Sequence, residues 1–390
     1  MSALVKTAHR PPLTRQRGMA SRAFEVLCRG EALSRSELRR ALGGSLSAVT
    51  AGVQELRVRN LVVEVGVGTS TGGRRPKILD LAPDLGGVLG IDIGGINMRV
   101  AAADLRGHTL ARWTVPTPRS PEPATLRRHI LAALGDAAAR LSGPVHAIAA
   151  AVAGVVAPET GKVSLAPNIP AWDDVDLTAW LAPFEARVLV ENEANLAAIG
   201  EFRSGGARDA RHVLFVAIGA GIGAGLILDG RLYRGHTGAA GEIGYMRSSI
   251  AEPLELERKA AAEALVERYR RHAGEMSVRS PEAVFDRLAA EDPAAVAAVS
   301  EVIDEQALAL ANAIALLDPQ KVVLGGGMAV AGEVLLAPLR ERIRSLVPVE
   351  PEFALSELGP DAALVGALLT AADAARDDLI EELERSATHA

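Results

Sequence analysis

Short apolar runs alternate with longer stretches of helical periodicity over most of this chain, and this alternation constrains its fold more than any other feature. Residues 88–115 predict three consecutive strands, because turn sequences at Gly94–Gly95 and Arg106–Gly107 interrupt the apolar stretch. Strands that alternate with helices are typical of an α/β fold, in which helices cover a sheet. Further strands are predicted within 145–156, 187–192, 212–218 and 321–324.

Three glycine clusters lie directly beside predicted strands. Gly94–Gly95 follows Asp92, a second cluster runs through residues 219–225, and Gly325–Gly327 follows an apolar strand. Glycine lets a backbone approach a phosphate closely and present N–H groups to it, although a hairpin turn also requires glycine. Three clusters together indicate a nucleotide cleft or the remnant of one. The residues assigned to this remnant are Asp92, Gly94, Gly95, Gly219, Gly221 and Gly326.

Positive charge is concentrated at the N-terminus. Residues 1–80 contain 14 Lys and Arg against 6 Asp and Glu, a net charge of +8, whereas the whole chain carries −6. A basic segment on an acidic body indicates binding to a polyanion, although a basic tail without a partner has the same charge. The order of elements within the segment favours the polyanion.

Three short helical patterns follow one another in this basic segment, the first over 20–29. The second begins with the capping box formed by Ser34 and Glu37, and Gly43–Gly44 ends it. A third helix over 46–59 completes the helix, turn, helix order of a helix-turn-helix, whose last helix enters the major groove with its N-terminal part. The candidate DNA contacts there are Ser45, which also caps the helix, Ser47 and Thr50.

Two extended runs over 61–67 and 69–81 follow, joined by a glycine-rich basic turn. This pattern predicts a β-hairpin wing, so that residues 1–82 form a winged helix-turn-helix DNA-binding domain. Basic side chains at the tip of a wing reach phosphates or a minor groove, although the same side chains also solubilise an exposed hairpin. The wing residues assigned to DNA are Arg74, Arg75 and Lys77.

The motifs together resemble those of the ROK family of repressors, open reading frames and sugar kinases. The resemblance rests on GIDIGG at 90–95, APNIPAW at 166–172, VENEANLAAIGE at 190–201, the glycine-rich stretch 219–245 and VVLGGGMAVAGE at 322–333. It implies a two-lobed, actin-like and ribonuclease-H-like sugar-kinase fold with a sugar bound between the lobes. The expected lobes are 86–203, with a C-terminal helix near 361–375 packed on it, and 204–360.

Departures from the family pattern predict that kinase chemistry is lost. The family's kinases use an aspartate as general base where this chain has Glu193, and a base must lie within ~2.6–3.2 Å of the hydroxyl it serves. Ile96 and Ala220 replace threonines of the two phosphate motifs, which removes two hydroxyl donors. Phosphoryl transfer depends on such positioning, so we expect no catalytic residue, with Glu193 as a degenerate base position.

A metal site of the family type is not expected either. The family's histidine after the Gly-Glu-Ile segment is Tyr245 here, and the three-cysteine cluster that follows it is missing, since Cys28 is the only cysteine. We therefore predict no zinc and no other cofactor.

Several positions that match the family's sugar ligands persist, although each residue could instead cap a helix or lie on the surface. Asn and carboxylate side chains suit sugars because they donate to and accept from adjacent hydroxyls. The candidate sugar contacts are Asn168, Asn192, Glu193, Glu242, Tyr245 and Glu255.

The sequence thus predicts a sugar-responsive transcription regulator, most simply a repressor, whose partners are operator DNA and a sugar or sugar derivative. Two other functions stay open: an active sugar kinase with an added DNA-binding module, and a regulator with a dead ligand site under a protein partner. We expect a homodimer or homotetramer, because helix-turn-helix proteins pair on palindromes. No apolar run reaches the ~18 residues of a membrane span, so a cytoplasmic protein without a membrane partner is expected.

Overall fold

The structure is a computed structural model of the 390-residue chain, and it describes residues 17–67, 75–119, 122–164, 172, 175–247 and 254–388. Contacts divide these residues into two compact units. The N-terminal unit holds the described parts of Arg10–Ala151, Pro167–Val190 and Ala367–Ala390. The central unit holds those of Val152–Ala166 and Glu191–Gly366. The three domains expected from the sequence stay a prediction, since this division follows contacts alone.

The N-terminal unit begins with a small module of three helices and an antiparallel sheet in the strand order β1-β3-β2. We call residues 19–81 the N-terminal module. Its elements are α1 (Met19–Arg29), β1 (Leu33–Ser34), α2 (Arg35–Leu42), α3 (Leu46–Val58), β2 (Val62–Val67) and β3 (Lys77–Leu81).

Local sequence signals set the boundaries of these helices. Ser34 and Glu37 form the expected capping box at the start of α2, and Gly43 ends α2 with a positive φ of 71°. The side chain of Ser45 accepts a hydrogen bond from the Ala48 N–H and so caps α3. The second strand of the predicted hairpin begins at Lys77, later than the predicted 69, and residues 68–74 lie outside the described residues.

Helices α1 and α3 pack closely at Gly52. A Cβ added there would lie 2.9 Å from the Ala20 nitrogen and 3.0 Å from the Met19 carbonyl carbon, so only glycine permits this approach. Fully buried apolar side chains fill the module's core, and they include Phe24, Leu27, Leu38, Val49, Val53, Leu56 and Leu79.

A five-stranded sheet in the order β10-β7-β4-β5-β6 forms the rest of the N-terminal unit, together with helices. The three consecutive strands predicted within 88–115 are present as two antiparallel hairpins. The elements are β4 (Gly87–Ile93), β5 (Asn97–Ala103), β6 (Thr109–Pro116), α4 (Pro123–Ala138), β7 (Val145–Val152), α5 (Leu177–Leu181), β10 (Arg187–Asn192), which extends into the central unit, and α12 (Ala362–Thr388), which begins there.

Hydrogen bonds join the N-terminal module to this sheet, and helix α12 to the sheet and to the residue before α1. Arg106, at the β5–β6 turn, donates from Nε to the Gly30 oxygen at 2.7 Å and to the Leu27 oxygen at 3.2 Å. Helix α12 runs well beyond the predicted 375, and its Glu384 accepts a hydrogen bond from the Gly18 N–H at 2.9 Å. Arg376 of the same helix donates to the Leu105 oxygen at 2.7 Å.

The central unit holds a second five-stranded sheet, in the order β13-β12-β11-β14-β15. When the strands of each sheet are numbered along the chain, both five-stranded sheets have the same order, 3-2-1-4-5. The elements are β8 (Val155–Val156), β9 (Val163–Ser164), α6 (Glu193–Ser204), β11 (Val213–Ile218), β12 (Ile222–Leu228), β13 (Arg231–Leu232), α7 (Leu256–Ala260), α8 (Ala262–Ala273), α9 (Pro281–Ala289), α10 (Pro293–Leu317), β14 (Lys321–Gly325), α11 (Glu333–Arg344) and β15 (Glu352–Leu355).

One face of the second sheet packs on helices α7, α8, α10 and α11 to form the largest apolar core. Helix α6 packs on β12 so closely that a Cβ at Gly225 would lie 2.3 Å from the Ala194 oxygen. The glycine at this position therefore serves packing between a helix and a strand. Among the described residues no helix has the length and apolar character that crossing a membrane requires.

Candidate functional site

The first candidate surface is the exposed face of α3 in the N-terminal module. Thr50 is exposed on this face, as expected for a DNA contact. The hydroxyl of Ser45 is occupied by its capping role, and it also lies 2.9 Å from the Ser47 hydroxyl. Two of the three predicted contacts on α3 are therefore engaged with the helix start in this conformation.

Basic residues of α2, α3 and β3 surround one carboxylate of β2, Glu64. Lys77 and Arg35 donate to Glu64, and Arg57 lies 3.4 Å from it. These cations, with the Lys77 hydrogen bond first, lower the pKa of Glu64 below its ordinary value. Lys77 is thus paired within the module, whereas Arg75 is exposed and Arg74 lies outside the described residues.

In the first sheet, the predicted phosphate motif forms a tight hairpin turn between β4 and β5. The Gly94 N–H donates to the Asn97 oxygen at 3.1 Å, and Gly95 and the 71% exposed Ile96 complete the turn. Asp92 is buried and paired at 3.1 Å with Arg99, its direct cross-strand neighbour. The Asp92 carboxylate therefore has Arg99 as a local counter-ion, and the hairpin turn between β4 and β5 is enough to explain the two glycines.

In the central unit, Asn192 ends β10 and caps helix α6. Its Oδ1 accepts from the Ala194 N–H at 2.8 Å and the Asn195 N–H at 3.1 Å, and its Nδ2 donates to the Gly154 oxygen at 2.9 Å. The second amide hydrogen of this side chain has no acceptor among the described residues, and it can donate to a ligand hydroxyl. Glu193 begins the helix beside it and is half-buried.

Glu191, one residue before the cap, is buried at the centre of a hydrogen-bond network and was not among the predicted site residues. Its carboxylate accepts from the Asn192 N–H at 2.9 Å, from Asn195 Nδ2 at 2.9 Å and from Arg234 Nε at 2.5 Å. Arg234 lies 43 residues away, so no short motif indicated this pair. The network fixes the strand end that carries Asn192 and Glu193.

A group of carboxylates surrounds the predicted sugar residues Glu242 and Tyr245. Burial, and secondly the Glu257 carboxylate, raise the pKa of Glu242 above its ordinary value. Burial and then Glu242 raise the pKa of the Tyr245 phenol. The predicted Glu255 pairs with Arg247 at 3.5 Å and contributes to the raised pKa of Tyr245. Glu257, which was not among the predicted sugar contacts, contributes to the raised pKa of both Glu242 and Tyr245. The only feature of the sequence that could have indicated Glu257 is its position two residues after the predicted Glu255.

Glu257 also reaches the second glycine cluster. Its Oε2 accepts from the Ile222 N–H at 2.9 Å, and a Cβ at Gly221 would lie 2.6 Å from the same oxygen. Gly219 donates its N–H to the Gly221 oxygen, and Gly326 has a φ of 82° directly against Ile218. The Ile222 N–H of this glycine cluster is thus already hydrogen-bonded to the Glu257 carboxylate.

Asn168, the remaining predicted sugar contact, lies outside the described residues. Within the described ranges, no group of three or more His, Cys, Asp or Glu side chains could hold a metal ion. The carboxylates, the amide of Asn192 and the Tyr245 hydroxyl offer mainly acceptors, which suits a neutral polyhydroxyl ligand.

Comparison with known proteins places the chain among mixed α/β proteins with a sugar-kinase-like fold. The family model described as "ROK family" matches residues 88–374, so this chain belongs to the ROK family. A glucokinase of Streptomyces coelicolor is 32% identical over 332 residues, which cover 75% of this chain and 98% of that protein. A xylose repressor of Caldicellulosiruptor bescii is 25% identical, over 80% of this chain and 83% of that protein.

Two solved structures show the same fold over different lengths of the chain. A ROK family glucokinase from Streptomyces griseus, in complex with glucose and AMPPNP, has a TM-score of 0.65 and 28% identity. It covers 74% of this chain and 100% of its own. A ROK family transcriptional regulator, described as a homologue of the E. coli MLC protein, has a TM-score of 0.75 and 25% identity. It covers 93% of this chain and 97% of its own.

Proposed function

We propose that this chain is a sugar-responsive transcription regulator, most simply a repressor, whose N-terminal module is a winged helix-turn-helix that binds operator DNA. The observation that carries the proposal is the module itself, which precedes the residues that match the ROK family. Its order of three helices and a hairpin is the order of a winged helix-turn-helix. The similar regulator structure covers 93% of the chain, against 74% for the glucokinase structure.

The charge of the first 80 residues supports the same function. A net charge of +8 on this segment favours contact with phosphates, and exposed Arg75 lies next to the wing strand β3. Replacing Arg74 and Arg75 by alanine is expected to weaken binding to operator and random DNA alike and to reduce the salt slope by up to ~2. A matched control is Arg140→Ala, which changes an exposed arginine of α4–β7 in the same unit. An unchanged salt slope would show that the wing does not contact the DNA.

We further propose that the ROK portion binds a sugar or sugar derivative without phosphorylating it. Glu193, Ile96 and Ala220 support this, because they replace the base and two hydroxyls of the family's kinases. The Glu257 carboxylate at the Ile222 N–H supports it too, since negative charge beside a phosphate cradle opposes nucleotide binding. The expected result is no ADP release above background with ATP and a panel of sugars.

An active sugar kinase with an added DNA-binding module is the second candidate. The 32% identity with a glucokinase over three quarters of the chain favours it. Robust ATP-dependent phosphorylation of any sugar by the wild type would establish this candidate and overturn the non-catalytic one. Restoring only the base, as Glu193→Asp, is not expected to create activity, because the phosphate contacts would still be missing.

Sugar binding itself is expected to depend on Asn192. Calorimetry with Asn192→Ser separates this role from the helix cap, because serine still caps α6 but lacks the amide donor. The control Asn312→Ala changes an exposed asparagine of α10 in the same unit. We expect weaker sugar binding only in Asn192→Ser, and equal binding by both variants would mean that the pocket lies elsewhere. As a DNA-binding regulator, the protein is proposed to be a cytoplasmic homodimer or homotetramer.

A further inference from the structure

Gln54, on the outward face of α3, is a long side chain that can read a base, and this inference rests on the DNA binding proposed above. A helix turns ~100° per residue, so positions spaced by three, four and seven residues share a face. The buried side is formed by Val49, Val53 and Leu56, all with 0% exposure. The opposite, exposed side is formed by Ser47, Thr50, Ala51, Gln54 and Val58. Arg57 is exposed at the edge of this side and pairs with Glu64 at 3.4 Å.

Gln54 lies on this exposed face, and its planar carboxamide carries an acceptor, Oε1, beside a donor, Nε2. Its carboxamide makes no hydrogen bond with the described residues, whereas the Ser47 hydroxyl lies against that of Ser45. Its neighbours Thr50 and Ala51 are small, so the helix backbone can approach a groove closely and bring the longer Gln54 to the base edges.

The position of this face is fixed by packing and is free of carboxylates. The close contact of Gly52 with α1 holds the buried side of α3 in place. The adjacent Glu55 is half-buried and paired with Arg59 at 3.1 Å, so its charge is neutralised away from the face. Glu64 is likewise paired, with Lys77 and Arg35. A neutral surface flanked by cations can approach DNA without repulsion.

We propose that Gln54 specifies an adenine in the major groove of each operator half-site. Adenine presents the N6 amino donor and the N7 acceptor side by side in the major groove. The Gln54 Oε1 accepts from N6, and its Nε2 donates to N7, which makes a bidentate pair. Guanine carries an acceptor, O6, in place of N6, so the Gln54 oxygen would face another acceptor.

The test selects binding sites for the full-length protein from random duplex DNA. The wild type is expected to enrich adenine at one fixed position in each half-site, by about 5- to 150-fold over the other bases. Gln54→Ala should lose that preference while its binding to random DNA and its melting temperature stay unchanged, since Gln54 is exposed. Gln54→Glu should move the preference to cytosine, whose N4 donates to a carboxylate.

The control is Glu55→Gln, which changes the adjacent residue outside this face and should keep the adenine preference. Retention of the adenine by Gln54→Ala, or the absence of a fixed adenine from the sites of the wild type, overturns the role of Gln54 and leaves the DNA-binding function standing. A wild type that selects no DNA at all overturns both the proposed function and this inference.

Discussion

Replacing Arg106 by alanine should loosen the N-terminal module from the β5–β6 hairpin of its unit. The side chain donates to the Gly30 oxygen at 2.7 Å and the Leu27 oxygen at 3.2 Å, and it pairs with Asp80 of β3. A hydrogen bond that involves a charged group contributes ~1.5–3 kcal/mol, but the Arg106 side chain is 16% exposed, so water can replace part of each contact. We therefore expect a loss of about 2–3 kcal/mol in the free energy of local opening.

Cys28 provides a direct assay for this opening. It is the only cysteine, it is 1% exposed at the end of α1, and burial raises the pKa of its thiol to about 12. A thiol reagent therefore reacts only after local opening, when the exposed thiol regains a pKa of ~8.5. A change of 2–3 kcal/mol predicts that Cys28 in Arg106→Ala is labelled about 30- to 150-fold faster at constant pH.

Two variants control this experiment. Arg106→Lys keeps a charge near Asp80 but lacks the Nε donor, so its labelling rate should lie between those of the wild type and Arg106→Ala. Arg140→Ala changes an exposed arginine of the same unit and should label like the wild type. Labelling of Arg106→Ala at the wild-type rate would show that the contacts to Gly30 and Leu27 do not hold the module in place.

Four further outcomes are expected. The pKa of Glu242 is raised in the folded protein, so the stability linked to its protonated form is lost as pH rises through that pKa. Glu242→Gln should therefore raise the melting temperature at pH 8, and this gain should shrink as the pH is lowered towards 4.5, the ordinary pKa of the group. A gain that is independent of pH would contradict this. Glu201 is fully buried and accepts from the backbone N–H groups of Gly206 and Leu358, so Glu201→Ala should cost about 3–5 kcal/mol in urea unfolding, against a smaller loss for Glu201→Gln. Gly52→Ala should destabilise the protein by about 1–3 kcal/mol, because the added Cβ meets the backbone of α1. An unchanged midpoint of unfolding would show that α1 can move away from α3 at no cost in stability. Elemental analysis of the purified protein should find no stoichiometric zinc, and one zinc per chain would show that a metal binds without the cysteine cluster of the family.

The sequence by itself determined the features that depend on neighbouring residues. The capping box of Ser34 and Glu37, the glycine turn at Gly43 and the Ser45 cap are contacts over three or four residues, so the pattern predicted both helix boundaries. The strands of the hairpins between 88 and 115 were predicted for the same reason, since apolar runs and turn glycines lie next to each other in the chain. The mixed α/β class followed from that alternation.

Tertiary structure decided which side chains meet. Arg234 reaches Glu191 from 43 residues away, and Glu257 rather than Glu255 lies beside Glu242 and the glycine cluster. Such contacts depend on how a helix is rotated against a sheet, and a shift of one or two residues along the chain changes the side that a residue faces. Arg106 is tied to Gly30 in the same way, since only folding brings a hairpin turn of the first sheet to the end of α1.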